Sequence, residues 1–444
     1  MQKKIIATAA VALFSAQPAI HTAFAADLLE VYRDAMARDP VYASARATYQ
    51  YSKEALPQAR AGILPTVTLT GVANRNQRET EGTPKADYTA NSLTLSLSQP
   101  LFRMQNFIAV DQASLQLQQS EAVFYDAQQS LIVRASQAYF DVLLAQDNVA
   151  LSAAQKTAIS EQLAQAKRNF EVGTSTIVDT YDAQAKYDLA VAKEISDQND
   201  LEIKKRSLQQ IIGKMPESLA QLKEQLALPL PQPDDMEQWV NAADKDSPVI
   251  AQLKAAYEIA VKEIDRNKAG HYPTLDLVGS YSDGKSPGVN SVTGQLGSNL
   301  TTRASQIGIQ LSVPLYQGGG TQSKIRQAIS GKDKAEQDLE STRRSVAQNV
   351  RQSFLGVTNG AAQVKAYEAA LVSSKSSLDS TILGREVGVR TSVDVLNSQQ
   401  QLFQARRDLQ QARYSAIISQ LKLKSASGHL KEEDLAEVNR LLVK

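Results

Sequence analysis

Two short stretches of this 444-residue chain concentrate charge beside a glycine, about 215 residues apart. One holds Gly173, Asp179 and Asp182. The other holds Arg385, Gly388, Arg390, Asp394 and Asn397. Carboxylates, guanidinium groups and an amide at this spacing have two uses. Thr176-x-x-Asp179 and Thr391-x-x-Asp394 have the form of capping boxes with Asp in the acid's place, which would simply close helix N-termini. Where several chains converge, the same groups would draw chain ends together through ion pairs and hydrogen bonds, as a gate. Both uses stay open at this level, and neither is catalysis. There is no G-x-S-x-G, no H-E-x-x-H, no Walker loop and no dinucleotide fingerprint. There is no cysteine, which excludes a disulfide framework, a thiolate metal site and a cysteine nucleophile. Of three histidines, His21 falls in the N-terminal leader. His271 and His429 stand far apart, whereas a metal site needs several convergent ligands. No catalytic residue, metal or cofactor is expected.

The elements that must present these groups are long rods. After Pro100 no proline occurs until Pro216, none follows Pro314, and no glycine lies between Gly82 and Gly173. The pattern predicts helices over about Arg103–Glu171 and Thr321–Glu386, each on the order of 100 Å long. Val350, Val357, Val364, Leu371 and Leu378 stand at heptad spacing. So do Val395, Leu402, Leu409, Ala416 and Leu423, with Ser398, Ala405, Ala412 and Ser419 at the companion position. Narrow apolar seams between Gln-, Ser- and Ala-rich faces suit rods packed side by side with water on both surfaces. They suit a plain antiparallel coiled-coil scaffold equally. Gly173 and Gly388 mark the turns, where one helix ends on a glycine and the next begins on a cap.

The chain repeats itself. Asp39-Pro40 matches Ser247-Pro248, Leu64-Pro65 matches Tyr272-Pro273, Gln99-Pro100-Leu101-Phe102 matches Val313-Pro314-Leu315-Tyr316, and Gly213 matches Gly428. Each copy reads as short helix, strand, strand, very long helix, turn, long helix. The short helices are expected over about Asp27–Arg60 and Pro248–Lys268. Strands are expected where Leu93, Leu95 and Leu97 alternate with Thr94, Ser96 and Ser98, and where Ile307, Ile309, Leu311 and Val313 alternate with Gly308, Gln310 and Ser312. Val67, Leu69, Leu275 and Leu277 repeat the theme. Such strands are either half of a soluble sheet on a core or a membrane sheet with lipid on one side and water on the other. Phe102 and Tyr316 suit an interfacial belt. The polar segments Arg75–Asp87 and Tyr281–Arg303 read as loops. Four strands cannot close a barrel, so the membrane alternative requires several chains, and three would supply about twelve strands.

The N-terminus, with Lys3 and Lys4, an apolar run from Ile5 to Phe14 and Ala23-Phe24-Ala25, reads as a signal peptide over residues 1–25. No later run is apolar and long enough for a spanning helix. The net charge of +1 becomes −1 once Lys3 and Lys4 leave, which gives no reason to expect nucleic acid as a partner. The rest divides into a first repeat at 26–213, a linker at 214–246 containing Leu228-Pro229-Leu230-Pro231-Gln232-Pro233, a second repeat at 247–427 and a tail at 428–444.

Val387-Gly388-Val389-Arg390-Thr391-Ser392-Val393-Asp394-Val395-Leu396, the paired strands ending in Pro-Leu-aromatic, and Ala412-Arg413-Tyr414 with Leu421-Lys422-Leu423-Lys424-Ser425-Ala426 carry a resemblance. The chain resembles the TolC family of outer-membrane factors over nearly its whole mature length. The resemblance implies a mainly α fold with a membrane β-barrel part. It also implies a homotrimer in the outer membrane of a Gram-negative cell, with twelve pooled strands and a helical tunnel in the periplasm. The implied partners are outer-membrane lipid, a periplasmic adaptor (membrane fusion) protein and an inner-membrane pump of ABC, RND or MFS type. The implied cargo is drugs and other small toxic solutes, or type I secreted proteins. By the same resemblance Asp179 and Arg390 match gate-linking positions and Asp394 an acidic ring. Asn397 stands where a second acid can occur, Val178 where a hydroxyl can, and Arg385 where a tyrosine can. Gly428 onwards would join residues 213–246 in a belt around the tube. The contrasting expectation is a periplasmic coiled-coil adaptor or scaffold with no pore.

Overall fold

The computed structural model describes residues 25–79, 81, 85–216, 218–223, 229–289 and 296–443. The expected signal peptide lies outside these, apart from Ala25. The first repeat opens with three helices, α1 (Leu28–Arg38), α2 (Pro40–Lys53) and α3 (Ala55–Ala61). The expected single helix over Asp27–Arg60 is therefore broken twice. At the first break Pro40 takes the opening position of α2, where its missing N–H costs nothing, and Asp39 Oδ1 accepts from Val41 N at 2.6 Å. The second break, at Glu54, precedes Pro57, which sits in the first turn of α3. Strands β1 (Thr66–Arg78) and β2 (Ala86–Phe102) follow, then α4 (Met104–Glu171) and α5 (Ile177–Ile212).

The second repeat has the same plan. Helix α6 (Met236–Asp246) lies inside the stretch read as linker and stops at Ser247-Pro248, as α1 stops at Asp39-Pro40. Then come α7 (Pro248–Lys268), a 3₁₀ turn at Ala269–His271, β3 (Thr274–Val289), β4 (Leu296–Ser312), α8 (Gly320–Glu386), α9 (Ser392–Ala426) and a short α10 (Glu432–Asn439). The two rods span 68 and 67 residues.

The four strands form one antiparallel sheet in the order β1-β2-β3-β4. Pairing runs much farther than the apolar alternation. It continues to Arg78–Ala86 in the first hairpin and to Val289–Leu296 in the second, so most of the two segments read as loops is strand. Apolar alternation marks only the part of a strand that has an apolar surface to face, whereas backbone pairing continues between polar residues. At the other end β2 does not stop at Pro100. It runs on to Phe102 through a bulge that leaves Leu101 unpaired.

The helices nearest the sheet lie in the same order as the strands. Helices α2 and α3 pack on α4, α4 on α7, and α7 on α8. Each is joined to the strand at its own position: α3 to β1, β2 to α4, α7 to β3 and β4 to α8. Bidentate hydrogen bonds from Arg103 to Asp276, at 2.8 and 2.7 Å, pin this junction. Farther from the sheet, α5 packs on α4 and α9 packs on both α8 and α4. Val350, Val357, Val364 and Leu378 on α8 are buried, as are Val395, Leu402, Leu409, Ala416 and Leu423 on α9, so the heptad seam is the contact.

The main core lies midway along the rods. Leu28, Val31, Leu131, Tyr139, Leu143, Leu208, Ile212, Ile417, Leu421 and Leu435 bring α1, α4, α5, α9 and α10 together. Bridges Ala26–Leu219 and Leu222–Leu442 stitch the beginning and end of the described chain to the segment after α5. A second cluster, with Ala243, Ile250, Val346, Val350 and Phe354, joins α6 and α7 to α8.

Gly428 ends α9 with φ at +81°, and a Cβ there would run into the Asp246 carbonyl. Gly173 has φ at +78° but open space around it. Gly173→Ala should therefore cost only the backbone term, roughly 1–2 kcal/mol. Gly428→Ala should cost clearly more, because the Asp246 backbone cannot step aside as a side-chain tip would. Denaturant unfolding of the two variants followed by helical circular dichroism checks the order.

Candidate functional site

The sheet register sorts side chains into two faces. Val67 lies opposite Leu97, Leu69 opposite Leu95, Leu275 opposite Leu311, and Leu277 opposite Ile309. These project to one side with Leu93, Tyr281 and Ile307. Thr66, Thr68, Thr70, Thr94, Ser96, Ser98, Ser280, Gln306 and Gln310 project to the other. No helix packs across either face among the described residues. Val67, Leu69, Ile307, Ile309 and Leu311 are left 63–77 % exposed. A soluble half-buried sheet would cover these side chains, and leaving each in water forfeits about 1.5–3 kcal/mol. The apolar face therefore suits lipid, and the hydroxyl and amide face suits water.

The apolar run is not level with the register. Relative to its place on β4, it is displaced along β1 by about three to four residues, or ~10–13 Å. Across three inter-strand steps, ~14 Å, that displacement corresponds to strands tilted by roughly 40°. Membrane barrels tilt by about that much, and a level apolar band then requires such a slide.

At the opposite end, α4 and α8 end on Gly173 and Gly388, with φ at +78° and +80°. Both capping boxes are present. Asp179 Oδ2 accepts from Thr176 N at 3.0 Å and Thr176 Oγ1 at 2.8 Å. Asp394 Oδ2 accepts from Thr391 N at 2.9 Å and Thr391 Oγ1 at 3.0 Å. The Thr391 backbone N–H, its hydroxyl and then the charge of Arg390 hold the Asp394 carboxyl below the usual carboxylate range. The Arg390 side chain lies over Gly384, where an added Cβ would come within 2.8 Å of Arg390 Cγ. Arg385 turns away from the other charges and donates to Gln162 Oε1 and Gln165 Oε1 of α4, both at 3.1 Å. The side chains of Asp182, Arg390 and Asn397 are exposed and make no hydrogen bond among the described residues, although Arg390 N donates to Gly384 O at 3.1 Å. Within one chain, the structure brings Arg390 and Asp394 together at the second tip and places Asp179 and Asp182 at the first.

Three links between the hairpins had no local signal in the sequence. Besides the Arg385 pair, Lys186 Nζ donates to Gln400 Oε1 at 3.1 Å. Deeper in, Tyr414 OH donates to Asp147 Oδ2 at 2.7 Å, beside Phe140. Burial pushes both the Asp147 carboxyl and the Tyr414 phenol up. Among the described residues no cluster of His, Cys, Asp or Glu could hold a metal, and no helix is long and apolar enough to cross a membrane.

Residues 31–214 and 239–429 match the family model described as outer membrane efflux protein. The chain is 34 % identical over 416 residues to the outer membrane protein TolC of Vibrio cholerae, covering 94 % of each. It is 32 % identical to the alkaline protease secretion protein AprF of Pseudomonas aeruginosa, covering 93 % of this chain and 86 % of that one. Its fold is similar to the crystal structure of the outer membrane protein VceC from Vibrio cholerae. The TM-score is 0.76 at 18 % identity, over 90 % of this chain and 96 % of that one.

Tyr414→Phe removes the hydroxyl that holds a half-buried carboxylate. A raised folded pKa means that the Asp147 contribution is favourable below the ordinary Asp value of about 3.9 and is lost as pH rises through the folded value. At neutral pH the phenol offsets part of that loss. The variant is therefore expected to lose roughly 1–3 kcal/mol at pH 7 and less near the ordinary Asp value of about 3.9, where a carboxyl whose pKa is raised is mostly protonated. Denaturant unfolding at the two pH values measures the difference.

Proposed function

The chain belongs to the outer membrane efflux protein family and lies in the outer membrane; we propose that three copies close into one duct leading from a periplasmic adaptor and an inner-membrane pump to the cell exterior. One observation carries this reading. A four-stranded sheet has a lipid-suited face, a water-suited face and two unpaired edges, and four helices continue it in the same order. Unpaired edges cannot stay open in hydrocarbon. Pairing β4 of one copy with β1 of the next satisfies them, and three copies give twelve strands, within the range of outer-membrane barrels. The cargo is drugs and other small toxic solutes, or type I secreted polypeptides. The secretion reading draws support from the relative named for alkaline protease secretion.

The hairpin tips act as the gate of this duct. The acids Asp179 and Asp182 stand at one tip of each chain, and Arg390 with Asp394 at the other, so a ring of three chains alternates the two chemistries. In each box Asp Oδ2 serves the cap, while Arg390 and Asp182 are available to a neighbouring chain. Arg385 holds the second hairpin against the first within one chain. Asn397, uncharged, leaves Asp394 as the acid of the second tip.

The purified chain in detergent is expected to run as a trimer and to form channels in planar bilayers; a stable monomer without channel activity would end the duct reading. Arg390→Ala and Asp394→Ala are each expected to raise single-channel conductance several-fold. Arg385→Ala should raise it less, because it loosens a contact inside each chain rather than between chains. Unchanged conductance in the Arg390 and Asp394 variants would leave these residues as plain helix ends.

A further inference from the structure

We propose that the outward face of the sheet, just above its apolar run, binds the phosphorylated headgroups of outer-leaflet lipid through Arg75, Lys285 and Arg303. The inference rests on the membrane reading of the sheet. All three residues share the face of Leu69, Leu277 and Ile309, since each is an even number of residues from one of them on the same strand. In the register they are staggered. Arg303 pairs with Asp283, Lys285 with Thr301 one row farther out, and Arg75 with Thr89 a further row out. That stagger runs in the same direction as the slide of the apolar run. Once the strands tilt by roughly 40°, the three cations come level. Arg303 lies six residues beyond Ile309, Lys285 eight beyond Leu277 and Arg75 six beyond Leu69. At ~3.3 Å per residue along a tilted strand, this puts them about 15–20 Å above the middle of the band. That is the headgroup layer above a hydrocarbon zone about 25 Å thick.

The charges are available. All three side chains are exposed. Arg303 Nε donates to Asp283 Oδ2 at 3.0 Å, which leaves its terminal nitrogens for a second acceptor. Arg75 and Lys285 have no ion-pair partner among the described residues. Asp283 and Asp87 are the acids on this face at that level, and Asp283 is engaged by Arg303. The other edge of the apolar run differs. Gln99, Phe102 and Val313 stand there, and none is charged. Cations at one edge only suit a membrane whose outer leaflet carries lipid-linked phosphates and whose inner leaflet is less demanding. A planar guanidinium fork and an ammonium are the donors that phosphate oxygens accept.

Retention of diphosphorylated lipid A by the detergent-solubilised full-length protein, read by native mass spectrometry, tests the site. Wild type should keep this lipid, and Arg75→Gln, Lys285→Gln and Arg303→Gln should each weaken retention, by about fivefold per cation removed. Dephosphorylated lipid A should bind weakly, and equally, to wild type and variants. Inorganic phosphate should not displace the lipid at matched concentration. Equal retention by wild type and the triple variant overturns the proposal, as does equal affinity of wild type for the dephosphorylated lipid. A triple variant of Arg206, Lys334 and Arg344 to Gln, on exposed helix faces, should retain lipid as wild type does; a matching loss there would mean net charge alone is acting and would overturn the site. If the triple rim variant fails to assemble, the single variants carry the same comparison. A wild-type chain that is monomeric in detergent would instead remove the membrane sheet on which the site stands.

Discussion

A backbone N–H or C=O in hydrocarbon has no bulk water to pair with and must be satisfied within the protein, and that constraint governs this molecule. A sheet with two open edges is a fragment of a larger object. Its apolar face, on which no helix packs among the described residues, says the same thing from the side-chain direction. The long helices follow from it. Once the sheet is closed by copies, the only way to extend the passage into water is to continue each strand as a rod. Rods wet on both surfaces can bury only their lateral seams, and here Val350, Val357 and Val364 meet Leu409, Ala416 and Leu423 along such a seam.

Duplication supplies the parts, and small departures between the copies give each its task. The backbone of the two tips is nearly the same, with a glycine at positive φ, a threonine cap and an aspartate closing the box. The side chains around that backbone differ, with Asn397 in the second tip where the first has Asp182. The second tip has Arg385 and Arg390 where the first has Phe170 and Ser175. Gly384 makes room for one of those arginines, while Asn169 stands at the corresponding place in the first copy.

Local signals carried most of the architecture into view. The rods, the glycine turns and the Thr-x-x-Asp boxes were legible because each depends on residues within a few positions of one another. The period of two located the strands but not their ends, since Asn76–Tyr88 and Gly284–Thr302 pair without any apolar alternation to announce it. The breaks at Asp39 and Glu54 were hidden because Pro40 and Pro57 sit in first turns, where proline is tolerated. The partners of Arg385 and Tyr414 lie more than 200 residues away, on α4. No spacing within α8 or α9 points to them; only the packing of α9 against α4 does. The cations at the sheet's rim were visible as residues, but their common level depends on a tilt that only the pairing register reveals.

The one-to-one joining of strands to helices bears on the bore of such a passage. A strand inclined at roughly 40° takes up about 6 Å of circumference, whereas a packed helix takes up 8–10 Å. With equal numbers of each, the ring of strands is the tighter hoop and the ring of helices the roomier barrel behind it. The far tips are held by side chains. The strands are held by a continuous backbone ladder, the stiffer of the two constraints. In the duct proposed above, strand count and inclination would therefore fix an upper bound at the exit that no opening of the inner mouth could raise.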